Sequence, residues 1–176
     1  MARKLKMSAV VSVLTTIILS ITYKWTANNV CLSIAITFGT ISYHLVMRLL
    51  VGLILNAAMD NKADYTKPHY SVSKYEMQLY AKMKVKKWKG KLPSYDGSLF
   101  DPRKHSWDEI AQAIYQAEIV HETIVILSFL PIIAGVWFGD FPVFIITSLL
   151  AAAVDLTFVI MQRYNRQRVL RLIEKK

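Results

Sequence analysis

Val143-Phe-Ile-Ile-Thr-Ser-Leu-Leu-Ala-Ala-Ala-Val-Asp155-Leu-Thr-Phe-Val-Ile-Met161 runs without a proline or glycine and passes directly into Gln162-Arg163-Tyr164-Asn165-Arg166. At 1.5 Å per residue such a run crosses most of a bilayer core of about 30 Å, and the polar stretch closes it. Working back along the chain, Gly139-Asp-Phe-Pro142 makes a short turn, preceded by a second apolar segment over about 118–138 with Pro131 inside it as a kink. A third segment covers about 30–58, longer than one crossing needs, so it tilts or carries one end out of the bilayer. The first covers about 7–23 after Arg3, Lys4 and Lys6, and ends in an interface belt of Tyr23-Lys24-Trp25. No small-residue cleavage pattern follows it, so it reads as a retained helix joined to the next by a tight hairpin at Asn28-Asn29.

The fold expected is all-α: a single membrane domain over 1–176 with four transmembrane helices. Composition agrees, with 54% hydrophobic residues and a mean hydropathy of +0.32 in a chain that also carries 22 Lys+Arg. Four crossings return both termini to one side. That side also receives the polar loop over about 60–116 and the arginine-rich tail, whereas the two hairpins expose only Lys24. The positive-inside rule makes it the cytoplasm, so the chain reads as a multi-pass protein of the cell membrane with both termini cytoplasmic. Within the loop, Asp60 to Pro68 ends the second helix, Ser73 to about Lys89 forms a basic interfacial helix striped by Tyr75, Leu79 and Met83, and Lys91 to Gly97 breaks it. Ser106-Trp107-Asp108-Glu109 caps a helix that runs from Trp107 towards the membrane.

Ionisable side chains at membrane depth cost free energy, so each needs a partner or a purpose. His44 and Arg48 share one helix face; Glu118, His121 and Glu122 share another; Asp155 sits in the last span. All fall in the inner leaflet by counting from the cytoplasmic ends, where they can surround one polar cavity. His121 with Glu118 or Glu122 beside it has the makings of an oriented general base. Against this stands a plain packing role, in which an Arg48–Asp155 pair locks two helices and the histidines satisfy a neighbouring backbone or hydroxyl. Lys82, Lys84, Lys86, Lys87, Lys89 and Lys91 around Trp88 draw the loop onto anionic headgroups, and some of them can also hold a phosphorylated or acidic carrier.

Counting ligands excludes several classes. With four histidines the chain is too poor for a membrane di-iron hydroxylase, and Glu118-x-x-His121 lacks the second Glu-x-x-His of a bundle di-iron site, so no metal is expected. Cys31 alone forms no internal disulfide. The net charge of +10 lies between spans with few stacking aromatics, so no nucleic-acid partner is expected. No nucleophile elbow, P-loop or His-Glu-x-x-His motif is present.

Three stretches in order, Lys84-Val-Lys-Lys-Trp88-Lys-Gly-Lys-Leu-Pro93, Glu118-x-x-His121 and Gln162-Arg163-Tyr164-Asn165-Arg166-x-Arg168, resemble the glycosyl-4,4'-diaponeurosporenoate acyltransferase family of staphyloxanthin-type carotenoid biosynthesis over about Lys74 to Leu172. Gln167 departs from it where a proline is expected, and Glu122 where an aromatic residue follows the histidine. The resemblance implies a membrane-embedded enzyme that moves a fatty acyl group onto a hydroxyl of a glycolipid or glycosylated isoprenoid. The acyl donor is then a coenzyme A thioester or an acyl carrier protein, with no bound cofactor. In that frame His121 is the base, with Glu118 and Glu122 as its catalytic partners. Arg163 and Arg166 bind anionic donor groups or steady an oxyanion, Gln162 and Asn165 orient substrate, and Lys87, Trp88, His44, Arg48 and Asp155 complete the binding surface. The rival reading is a non-enzymatic lipid-binding or accessory membrane subunit; a small transporter, without repeats or interrupted half-helices, is a third.

Overall fold

The computed structural model describes residues 2–62, 64, 67, 71–92 and 97–175. Among the described residues, seven α-helices follow in chain order: α1 (Ala2–Thr26), α2 (Asn29–Met59), α3 (Lys74–Lys82), α4 (Val85–Trp88), α5 (Trp107–Leu127), α6 (Pro131–Phe138) and α7 (Phe141–Ile173), with 3-10 turns at Lys89–Lys91 and Gly97–Phe100. No strand occurs among the described residues. Four stretches among the described residues are long and apolar enough to cross a membrane: Arg3–Thr26, Asn29–Met59, Trp107–Phe138 and Phe141–Ile173. Their outward faces are rich in Val, Ile and Leu, from Val10, Leu14 and Ile18 of α1 to Ile146, Leu150 and Val154 of α7. That is the surface a helix shows to lipid rather than to water.

Two compact units emerge. One joins Ala2–Val51 with Ile124–Val154. Here the α1–α2 turn is as tight as the sequence indicates: Ala27 takes a left-handed φ of 51°, and the Asn28 side chain accepts from the Val30 N–H at 2.9 Å, capping α2. Ser12 and Ser42 hydrogen-bond at 2.9 Å between the two helices. The kink expected at Pro131 is a full break. Residues 128–130 form a turn and Pro131 opens α6, because its ring nitrogen has no hydrogen to continue the ladder. The Leu127 carbonyl at the break accepts instead from the Tyr43 hydroxyl at 2.8 Å and from the Leu130 N–H at 3.2 Å. Gly139, with φ of 77°, ends α6, and the Phe141 ring sits where a Cβ on Gly135 would lie.

The other unit joins Gly52–Thr123 with Asp155–Lys176. Its α3 begins with a capping box: Ser73 Oγ accepts from the Glu76 N–H at 3.1 Å while Glu76 accepts from the Ser73 N–H at 2.9 Å. The single interfacial helix expected over Ser73–Lys89 is instead interrupted at Lys84, whose left-handed φ of 53° turns the chain. The turn lets Tyr80 and Val85 both bury, leaves Tyr75, Leu79 and Met83 exposed, and frees the Met83 carbonyl to accept from Trp88 Nε1 at 3.0 Å. The expected break over Lys91 to Gly97 falls largely on Pro93 to Asp96, which with Pro68 and His69 lie outside the described residues.

The last helix also corrects its expected end. Gln162 to Arg166 do not close α7; they sit inside a helix that continues to Ile173. Arg166, Val169, Leu170 and Ile173 recur at helical spacing, and Val169, Leu170 and Ile173 pack with Ile110, Ala111 and Ile114 of α5. Polar residues without a helix breaker leave the membrane-length run free to extend, and this apolar stripe supplies the reason to do so.

Candidate active site

Within the unit formed by 52–123 and 155–176, α5 turns Glu118, His121 and Glu122 towards α7. His121 Nδ1 lies 2.9 Å from Asp155 Oδ1, and the imidazole stacks on Phe158 with centroids 4.7 Å apart and planes 9° from parallel. Asp155 and Phe158 are one turn apart on α7, so one helix face supplies both the carboxylate and the flat wall. The Asp155 side chain is 2% exposed and that of His121 23% exposed. A buried carboxylate on Nδ1 selects the tautomer that carries its hydrogen there, which leaves the Nε2 lone pair to act as a base. An imidazole held in this way can take a proton from a hydroxyl and return it to a leaving group.

Glu118 has another engagement. It is fully buried with Arg166, whose Nη2 lies 3.2 Å from both carboxylate oxygens, and the Tyr115 ring lies 5.5 Å from the guanidinium carbon. Arg163 gathers three carboxylates: Glu76 at 3.4 Å, Glu118 at 3.6 Å and Glu122 at 3.9 Å. Because Glu118 and Glu122 flank His121 on α5, the half-buried Arg163 guanidinium lies beside the same turn. Glu76 Oε1 also accepts from the Tyr80 hydroxyl at 3.3 Å. Burial alone would push the Glu76 carboxyl up, but the Ser73 N–H and hydroxyl, the Arg163 charge and the Tyr80 hydroxyl outweigh it and hold the group below the usual range. Tyr80, buried beside that carboxylate, is pushed up to about 12.

The expected site residues therefore divide. His121, Asp155, Glu118, Glu122, Arg163 and Arg166 are brought together, with the pairing exchanged: Asp155, rather than Glu118 or Glu122, holds the imidazole. Arg166 is fully buried, and Gln162 is buried as well. Asn165 accepts a hydrogen bond from Lys89 Nζ. Lys87 is exposed, and Trp88 is engaged with the Met83 carbonyl. His44 and Arg48 belong to the other unit, where Arg48 donates to the carbonyls of His44 and Ala151 at 3.2 Å each and the His44 ring meets Tyr43 edge-on. No group of three or more His, Cys, Asp or Glu placed to hold a metal ion occurs among the described residues.

Three contributors escaped the sequence reading. Glu76 carried a signal, the Ser73-x-x-Glu76 spacing of a capping box, but nothing in that spacing points to Arg163. Phe158 was marked only by standing one turn from Asp155. Tyr80 carried no signal at all.

The family model for glycosyl-4,4'-diaponeurosporenoate acyltransferase matches residues 61–175. That stretch contains every member of the His121, Glu118 and Arg163 constellation, whereas His44 and Arg48 lie before it. No curated protein and no solved structure matches the chain.

Proposed function

The chain belongs to the glycosyl-4,4'-diaponeurosporenoate acyltransferase family, and from that premise we propose that it is a membrane-embedded enzyme transferring a fatty acyl group from a thioester to a hydroxyl of a glycosylated isoprenoid or related glycolipid. The observation that carries the mechanism is the His121–Asp155 contact of 2.9 Å inside the family-matched region. His121 Nε2 takes the proton of the acceptor hydroxyl as its oxygen attacks the acyl carbonyl carbon. Asp155 holds the ring in register and stabilises the imidazolium that forms. Arg163 steadies the negative oxygen of the tetrahedral intermediate, its own position fixed by Glu76, Glu118 and Glu122. When the carbon–sulfur bond breaks, the imidazolium returns the proton to the departing thiolate, leaving an ester and a free thiol.

The acyl carrier is then coenzyme A or an acyl carrier protein, and the acceptor enters from the surrounding lipid. The fully buried Glu118–Arg166 pair favours a second reading, an accessory lipid-binding subunit whose intramembrane charges only pack helices. One substitution separates the two. A positioned base contributes roughly 100- to 10,000-fold, so His121→Ala should keep normal membrane abundance and lose about 100-fold or more of the acylated product. Lipid mass spectrometry of membranes from cells expressing wild type and variant checks this, by the presence of a species heavier by one acyl chain. An unchanged profile removes His121 from the chemistry and leaves the subunit reading.

A further inference from the structure

The α1–α2 hairpin lies before the family-matched stretch. Small polar side chains draw its two helices together. Ser12 and Ser42 share a hydrogen bond of 2.9 Å, Thr16 Oγ1 lies 3.4 Å from Ser42 Oγ, and a Cβ on Gly39 would stand 3.5 Å from Thr16 Cγ2. Larger side chains on either side of that seam stand proud of it. Met7 and Val11 of α1 face Phe38, Ile41 and Leu45 of α2 across a groove of about 480 Å³, with Lys4 at the end nearest the start of the chain. Ser8 lines the same groove from an exposed position. Met7 and Val11, both more than half exposed, form a ridge with a second face, where a shallow hollow is bounded by Arg3, Lys6 and Val10.

Arg3 and Lys4 precede Met7 by four and three residues, so on a helix both stand one turn beyond the head of the ridge. The sequence from 1 to 59 contains no Asp or Glu, so α1 and α2 offer these cations no counter-charge. Charged residues of α1 are confined to its two ends, and its length and composition suit a membrane crossing. The cations therefore sit at headgroup level, and the groove runs from Lys4 to Val11 for about 10 Å into the apolar layer. Its volume falls in the range of a ligand cleft, and its walls are apolar with a cation at one end. A free phosphate has no chain to lay in such a groove, and a zwitterionic lipid brings its own cation to a place already rich in them. We propose that an anionic glycerophospholipid binds the α1–α2 hairpin, its phosphate at Arg3 and Lys4, one acyl chain in the interhelical groove and the other in the hollow across the Met7–Val11 ridge.

Retention of lipid is read without turnover, so the outcome is independent of acyl transfer. Full-length protein in a sugar-headgroup detergent, which brings no phosphate, is titrated with dioleoylphosphatidylglycerol and, separately, with dioleoylphosphatidylcholine, and bound lipid is counted by native mass spectrometry. Three variants are compared with wild type: the double substitution Arg3→Gln/Lys4→Gln removes the headgroup charges, Ser8→Trp fills the groove from an exposed position, and Lys104→Gln removes an exposed loop charge elsewhere. The first two should each weaken phosphatidylglycerol binding by about tenfold, with Lys104→Gln unchanged and phosphatidylcholine held more weakly by wild type. Absence of phosphatidylglycerol binding, equal retention of the two lipids, or equal weakening in Lys104→Gln overturns the proposal. Unchanged binding in Ser8→Trp also overturns it, since charge alone then holds the lipid. A lipid-free dimer that Ser8→Trp abolishes would give the groove to a second copy of the chain instead, and overturns it too.

Discussion

Asp155 carries more of the proposed chemistry than its position in an apolar helix announces. From spacing alone, His121 belongs with Glu118 and Glu122, its neighbours at three residues and at one on α5. Tertiary packing reassigns them, because Arg166 and Arg163 claim the two glutamates and leave the imidazole to α7. Which residues of two helices face each other depends on the rotation of both about their axes, and a single sequence does not encode that legibly. The presence of buried titratable groups was readable; their partners were not. Asp155→Asn tests the reassignment: the amide fits the same space but loses the charge that supports an imidazolium. The expected result is product reduced about 100-fold or more at unchanged membrane abundance, measured by the same lipid mass spectrometry. Full activity in this variant would return the orienting role to a glutamate.

Helix breaks divide into those with a chemical label and those without. Pro131 announces the end of α5, and Gly139 the end of α6, each through a backbone property of the residue itself. Lys84 announces nothing, since its left-handed conformation is imposed by burying Tyr80 and Val85 on either side of it. The extension of α7 past Arg166 was equally hidden, because positive charges that read as a membrane boundary are also good helix formers. At the Pro131 break the structure replaces a missing backbone donor by a side chain, Tyr43 Oη on the Leu127 carbonyl. Tyr43→Phe removes that donor alone. Thermal unfolding in detergent should show a loss of about 0.5–1.5 kcal/mol, and an unchanged midpoint would mean the Leu130 N–H suffices for this carbonyl.

For the molecule as a whole, four apolar runs were legible because each needs only length and composition, and all four fall within helical stretches long and apolar enough to cross a membrane, the third interrupted before Pro131. Orientation rests on the distribution of Lys and Arg, and it makes a separate claim. In a Cys31→Ser background, a cysteine introduced by Lys24→Cys should react with a membrane-impermeant maleimide in intact cells. One introduced by Lys104→Cys should react only after permeabilisation, and the reverse pattern would invert the topology. The unbroken course of α7 has one more effect. Asp155 and Asn165 are ten residues apart on a single rod, which fixes about 15 Å between the partner of the base and the anchor of Lys89. The two cannot be brought closer without bending α7, so the helix acts as a ruler between them.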